Sequence, residues 1–173
     1  MRKTSIALGL VAAIAAMPAF AATSTGSLTV KATVVSSCAV NTNTAGTVTN
    51  AVLDFGNITT ANLGSSIDAD TTGSGGTSLT VLCSNGTNYT YYANYGSNAS
   101  GNQRRMANGT EMIAYDLYSN QARSTAFPTS GSTASATGNG SVQSYTIYGR
   151  IPALSSLPTA GTYTDTVTLT VEY

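Results

Sequence analysis

General acid–base chemistry in this sequence would have to come from Asp54, Asp68, Asp70, Glu111, Asp116, Asp165 and Glu172. Glycoside hydrolysis needs two such acids converging on one cleft, and no motif pairs them; Asp165 and Glu172 fall on opposite faces of one alternating run. The chain has no histidine. That removes Ser-His-Asp and Cys-His catalysis, His-ligated zinc and an imidazole pH switch together. Asp68-Ala69-Asp70-Thr71-Thr72-Gly73 imitates the opening of a calcium loop, but position 12 is Leu79 where a bidentate Glu is required, and no flanking helices are expected. The segment reads as a solvated turn. Gly73-Ser74-Gly75-Gly76 lacks the Lys and Ser/Thr of a phosphate loop and also reads as a turn. Tyr89, Tyr91, Tyr92 and Tyr95 suggest a sugar-stacking platform; since Tyr89, Tyr91 and Tyr95 share a strand face, core packing is the expectation. Arg104 and Arg105, in a Gly/Asn-rich stretch, are expected to be solubilising loop residues. No cofactor or metal is called for, and a formal net charge of zero argues against nucleic acid, whose phosphates need a basic surface.

The elements that would position these residues begin after an export address. Arg2 and Lys3 precede an apolar stretch from Ile6 to Ala16, then Pro18 and the small-residue pattern Ala19-Phe20-Ala21. This is the layout of a secretory signal peptide, residues 1–21, with cleavage after Ala21. The apolar stretch is shorter than the roughly 20 residues a spanning helix needs. Loss of Arg2 and Lys3 leaves 5 basic residues against 7 acidic ones, a net charge near −2. In an oxidising compartment Cys38 and Cys83, the only cysteines, are expected to form one disulfide.

Beyond the leader the periodicity is two almost throughout, and across the full sequence 29 Thr and 21 Ser stand where charge would normally be. Strands are expected at 28–40, 52–55, 78–83, 88–95, 112–118, 143–151 and 162–173, separated by turn-rich runs at 73–76, 98–102 and 129–141. The expected class is all-β, an antiparallel sandwich. In the last strand Tyr163, Asp165, Val167, Leu169, Val171 and Tyr173 face one way, and Thr164, Thr166, Thr168, Thr170 and Glu172 the other. A last strand with so long an exposed edge is expected either to be capped by another strand or to pair with one. At the opposite end, thirteen residues from Leu28 would extend about 43 Å, more than twice a common strand. Leu28, Val30, Ala32 and Val34 share one phase of that run. Its front half either completes its own sheet or pairs with the next molecule, and the pattern alone leaves both readings open. In the second case strand addition is head-to-tail and gives a filament.

Several segments carry a resemblance: Tyr145-Thr146-Ile147-Tyr148-Gly149-Arg150-Ile151-Pro152-Ala153, then Ala160-Gly161-Thr162-Tyr163-Thr164-Asp165-Thr166-Val167 and the terminal alternating strand. Ser37-Cys38-Ala39-Val40, Leu53-Asp54-Phe55-Gly56, Val81-Leu82-Cys83, Gly101 with Arg104, Arg105 and Met106, and Ile113-Ala114-Tyr115-Asp116-Leu117-Tyr118 support it. The chain resembles the spore coat protein U domain, the pilin module of archaic, Csu-type chaperone–usher pili. The resemblance implies an incomplete immunoglobulin-like sandwich that lacks its last strand and is completed by donor-strand exchange. It implies a periplasmic chaperone, an outer-membrane usher, neighbouring pilin subunits in a homopolymer, tip and minor subunits, and a place on the cell surface in adhesion and biofilm formation. Mapped onto this chain, 22–34 is the donor segment, with Leu28, Val30, Ala32 and Val34 as its plugs. Residues 35–173 form the pilin domain, and Val167, Leu169, Val171 and Tyr173 line the acceptor groove.

A shaft subunit is expected over a tip or minor adhesin, because the 16 residues from 22 to 37 leave no room for a receptor-binding domain ahead of Cys38. A secreted carbohydrate-binding β-sandwich is the alternative from another class; it requires an exposed aromatic platform and a monomer.

Overall fold

The computed structural model describes residues 23–41 and 50–173; the expected signal peptide, 1–21, lies outside them. The chain divides into two units, Met1–Thr33 and Val34–Tyr173. The described part of the first unit, 23–33, forms no ladder, and its apolar side chains stand in solvent: Leu28 is 87% and Val30 85% exposed. Val34 and Val35, which open the second unit, are equally bare at 88% and 70%. A single strand from Leu28 to Val40 is therefore not what forms. Only the last three residues are a strand, because pairing starts where Ser37 and Cys38 meet the edge around Ser84 and Cys83.

The described residues of the second unit hold ten strands: β1 (Cys38–Val40), β2 (Ile67–Asp70), β3 (Leu79–Cys83), β4 (Asn88–Ala93), β5 (Arg104–Asn108), β6 (Glu111–Tyr118), β7 (Ala134–Thr137), β8 (Val142–Tyr145), β9 (Tyr148–Ile151) and β10 (Leu169–Glu172). They form three antiparallel sheets, ordered β1-β3-β8, β10-β4-β7 and β2-β9-β6-β5. The described residues contain no α-helix, only a 3-10 turn at Thr60–Asn62. The all-β expectation holds. In β3 the alternation buries Leu79, Val81 and Cys83, and in β6 it buries Ile113, Tyr115 and Leu117. β-Branched and aromatic residues at period two suit a pleated surface with one covered face. Tyr89, Ala93, Phe127, Ile147 and Ile151 complete one core fed by all three sheets.

Four further elements depart from the sequence reading. The stretch taken for a solvated turn at 68–73 is strand β2 followed by a turn. Asp68 is held by Arg150 (Nε to Oδ1, 2.7 Å) and Arg123 (3.4 Å), and Asp70 accepts from the Thr72 amide at 2.8 Å. Arg104 and Arg105 are not loop residues. They open β5, and Arg104 is only 6% exposed, donating through Nε and Nη2 to the Asn94 carbonyl at 3.1 and 2.8 Å. The polar run 129–141 contains β7, paired with β4. The expected single strand 143–151 is also cut in two. Ile147 turns inward between β8 and β9, where its amide donates to Thr71 Oγ1 (3.0 Å) and its carbonyl accepts from the Thr71 amide (3.0 Å). The chain thereby leaves the sheet of β3 and joins that of β2 and β6, the corner by which sandwich strands change sheets.

Cys38 lies directly opposite Cys83 in the β1–β3 register, Cα–Cα 4.1 Å, and the two are joined as a disulfide.

Candidate functional site

Two extended segments that belong to no long ladder bound the functional feature. The first is 51–58. Ala51, Leu53, Phe55 and Ile58 turn toward the core while Val52 and Asp54 face solvent. Val52 exchanges both backbone hydrogen bonds with Thr77 (2.9 and 2.8 Å). Backbone groups alternate sides along an extended chain, so those of Leu53 and Phe55 are directed away from Thr77, and among the described residues nothing bonds them. The second segment is 162–169. Thr164 exchanges hydrogen bonds with Ala107 of β5 (2.8 and 3.0 Å), Thr166 accepts from the Ser97 amide (3.1 Å) and Thr168 from the Asn94 amide (3.0 Å). The intervening Asp165 and Val167 present their backbone groups to the other side, again with no partner among the described residues.

Between these segments runs an open groove of about 440 Å³, lined on one wall by Ala51, Leu53 and Phe55 and on the other by Tyr163, Asp165, Val167 and Leu169. Its floor is Met106, Tyr115, Leu117, Ile147 and Thr71. A further stretch of about 520 Å³ shares Leu53, Phe55, Met106 and Tyr163 and extends the groove to Ile58, Ile113 and Leu157. Gly149 permits the first wall to sit where it does, since a Cβ there would fall 2.8 to 2.9 Å from the Phe55 and Leu53 side chains. The groove is thus apolar, extended, and edged by ladder groups at period two.

Asp165 anchors the second wall. Its Oδ1 accepts from the Ser97 amide (2.9 Å), the Asn98 amide (3.2 Å) and Asn98 Nδ2 (3.1 Å), and its Oδ2 from the Tyr115 hydroxyl (2.7 Å). Burial first, and then this bond, push the Tyr115 phenol well above its ordinary range. Arg104, which burial pushes down, holds the carbonyl of Asn94 and stacks its guanidinium over Tyr95 at 5.1 Å. Together they fix the 94–98 bend against which the wall leans. Gly96, at φ +85°, approaches so closely that any Cβ would collide with the Asp165 carboxylate. None of this support was legible as such: Arg104 beside Arg105 looks like surface charge, and Asp165 looks like one more acid.

The residues singled out from the sequence fall in different places. Val167 and Leu169 line the groove. Val171 packs against the core opposite Tyr91, and Tyr173 is 65% exposed beyond the end of β10. Leu28, Val30, Ala32 and Val34 are all exposed. Tyr89 is buried, its phenol pushed up by desolvation and by the neighbouring Tyr145 hydroxyl at 2.5 Å. Tyr91 stacks on Tyr145 at 4.9 Å between centroids. These tyrosines are core, not platform. Among the described residues no three His, Cys, Asp or Glu side chains cluster as metal ligands.

The model of the Spore Coat Protein U domain matches residues 24–170. Among solved structures, the chain is similar to one from the CsuC–CsuE chaperone–tip adhesion subunit pre-assembly complex of the archaic chaperone–usher Csu pili of Acinetobacter baumannii. Identity is 27% and the TM-score 0.52; the alignment covers 82% of this chain and 40% of that one. Among curated proteins none matches.

Proposed function

We propose, from the premise that the chain belongs to the Spore Coat Protein U domain family, that it is a subunit of a chaperone–usher pilus and polymerises head-to-tail by strand exchange. One observation carries this reading: a groove whose two edges both expose backbone groups that no described residue pairs, at period two, in a chain that also carries an exposed alternating apolar segment at Leu28, Val30, Ala32 and Val34. A strand laid in the groove satisfies both edges and covers the floor. Burying the four donor side chains contributes about 4 to 8 kcal/mol before the ladder is counted. The contact joins two different surfaces and does not close on itself, which builds a fibre.

Residues 1–21 then direct export, 22–34 serve the next subunit, and 35–173 form the pilin domain. A periplasmic chaperone occupies the groove before assembly, and an outer-membrane usher exchanges it for the incoming donor, delivering the homopolymer to the cell surface for adhesion and biofilm formation. The related structure, a chaperone bound to a tip adhesion subunit, supports the chaperone as partner and also keeps a tip or minor subunit as the second reading. Gold-labelled antibody decorating the whole fibre marks a shaft subunit; label confined to fibre ends marks a tip subunit. Polymerisation itself is tested on detergent gels with and without boiling. A heat-sensitive ladder from the mature chain that disappears when 22–34 is deleted supports the reading, and a single heat-independent band from both overturns it.

A further inference from the structure

The apolar phase of the donor says which face enters the groove, but not how far along the groove it sits. A slip of one residue turns every plug outward and is forbidden; a slip of two keeps the plugs inward and costs only fit. Something else has to choose between registers two residues apart.

Between residues 22 and 37 the sequence has one charged side chain, Lys31. It lies on the outward phase at the midpoint of Leu28–Val34, is exposed, and makes no ion pair among the described residues. Among the described residues the groove is lined by two carboxylates and no cation. Asp165 already has both oxygens filled by four donors. Asp54 is exposed, and among the described residues only its Oδ1 is used, by the Gly56 amide at 2.8 Å. Asp54 also lies on the outward phase of its wall, flanked by Leu53 and Phe55, where the two stretches of the groove join.

We infer that, in the strand exchange proposed above, Lys31 of one subunit pairs with Asp54 of the next and fixes the donor register. Adjacent strands place same-face residues side by side, so an inward-facing set of plugs brings Lys31 to the face that Asp54 occupies. Seating the four plugs symmetrically puts midpoint on midpoint, whichever direction the donor runs. A two-residue slip moves the ammonium roughly 7 Å along the strand, out of contact.

The test is the initial rate at which heat-sensitive oligomers form from the full mature chain, at low salt and in 1 M NaCl. Lys31→Asp or Asp54→Lys alone sets like charges opposite each other and slows assembly about fivefold, the upper end for a cross-strand charge pair. The double exchange Lys31→Asp with Asp54→Lys returns to within twofold of the natural chain, and 1 M salt levels all four, because that screening length is about 3 Å. Asp54→Asn, which keeps the Gly56 bond and guards against a folding defect in Asp54→Lys, makes Lys31→Asp cost less than twofold. Moving the cation by two residues, Thr29→Lys with Lys31→Thr, assembles no faster than Lys31→Thr alone. The register inference is overturned if the double exchange is no better than either single, or if the moved lysine works as well as Lys31. Val30→Asp separates the two levels: it abolishes the ladder if strand exchange is right, whereas a normal ladder from Val30→Asp refutes the polymerisation reading itself.

Discussion

Replacing Asp165 by Ala should destabilise the pilin domain by about 2 to 4 kcal/mol, of which about 1 to 3 kcal/mol resides in one hydroxyl. Tyr115 is 5% exposed and its OH donates to Asp165 Oδ2 at 2.7 Å. A buried donor left without an acceptor costs about 1 to 3 kcal/mol. The Ser97 and Asn98 donors sit nearer the surface and recover water, so losing them adds about 1 kcal/mol. Tyr115→Phe removes the same bond from the other side, leaves Asp165 three donors, and should cost about 1 to 2 kcal/mol. In the double variant no hydroxyl is orphaned, so its cost falls short of the sum by about 1 to 2 kcal/mol. The assay is urea unfolding with the disulfide intact, in a Val30→Asp background that on the proposed reading keeps the chain monomeric. Costs that add to within about 0.5 kcal/mol, or an Asp165→Ala cost under 1 kcal/mol, would refute the assignment of Asp165 as the anchor of the wall.

Replacing both Cys38 and Cys83 by Ala should lower stability by about 4 kcal/mol, the chain-entropy value for closing 45 residues; equal urea midpoints for both proteins would contradict it. With no histidine to titrate, stability should be flat from about pH 5 to pH 9. Above about pH 10 it should fall. The Tyr115 and Tyr89 phenols are raised in the folded chain, so their contribution is complete below the unfolded value near 10 and is lost as pH climbs, by about 1.4 kcal/mol per pH unit for each tyrosine; Tyr115→Phe should make the alkaline limb shallower. Gly149→Ala forces Leu53 and Phe55 outward by a few tenths of an ångström or strains them in place. It should cost about 1 to 3 kcal/mol and slow oligomer formation on the gel assay.

Strands β3, β4 and β6 were legible because alternation and β-branched or aromatic residues agree along each. β2 was not, since two Asp in four residues depress strand propensity; Asp68 is offset by Arg150 and Arg123, 55 or more positions away, and Asp70 by the turn it forms with the Thr72 amide. β5 hid for a similar reason: burial of Arg104 depends on a carbonyl at Asn94 that only the folded chain supplies. The break between β8 and β9 is set by Thr71, 76 positions earlier, and has no local signature. Of the groove, the wall carrying Val167 and Leu169 follows from the terminal alternation. The opposite wall looks like an ordinary strand in sequence; only the single bridge to Thr77 reveals that its other edge is open.

The position of the disulfide matters once a fibre is pulled. In a filament built as proposed, tension enters each subunit through the strand that precedes Cys38 and must be handed to the core. The noncovalent route is β1, three residues paired to β3, a seam short enough to unzip from its loaded end. The cystine gives the load a covalent path at the first residue of that seam, into a strand whose Leu79, Val81 and Cys83 are all buried. Under oxidising conditions the force then meets β3 within the core instead of peeling β1, and the weakest link of the chain of subunits shifts from the fold of each subunit to the joint between neighbours.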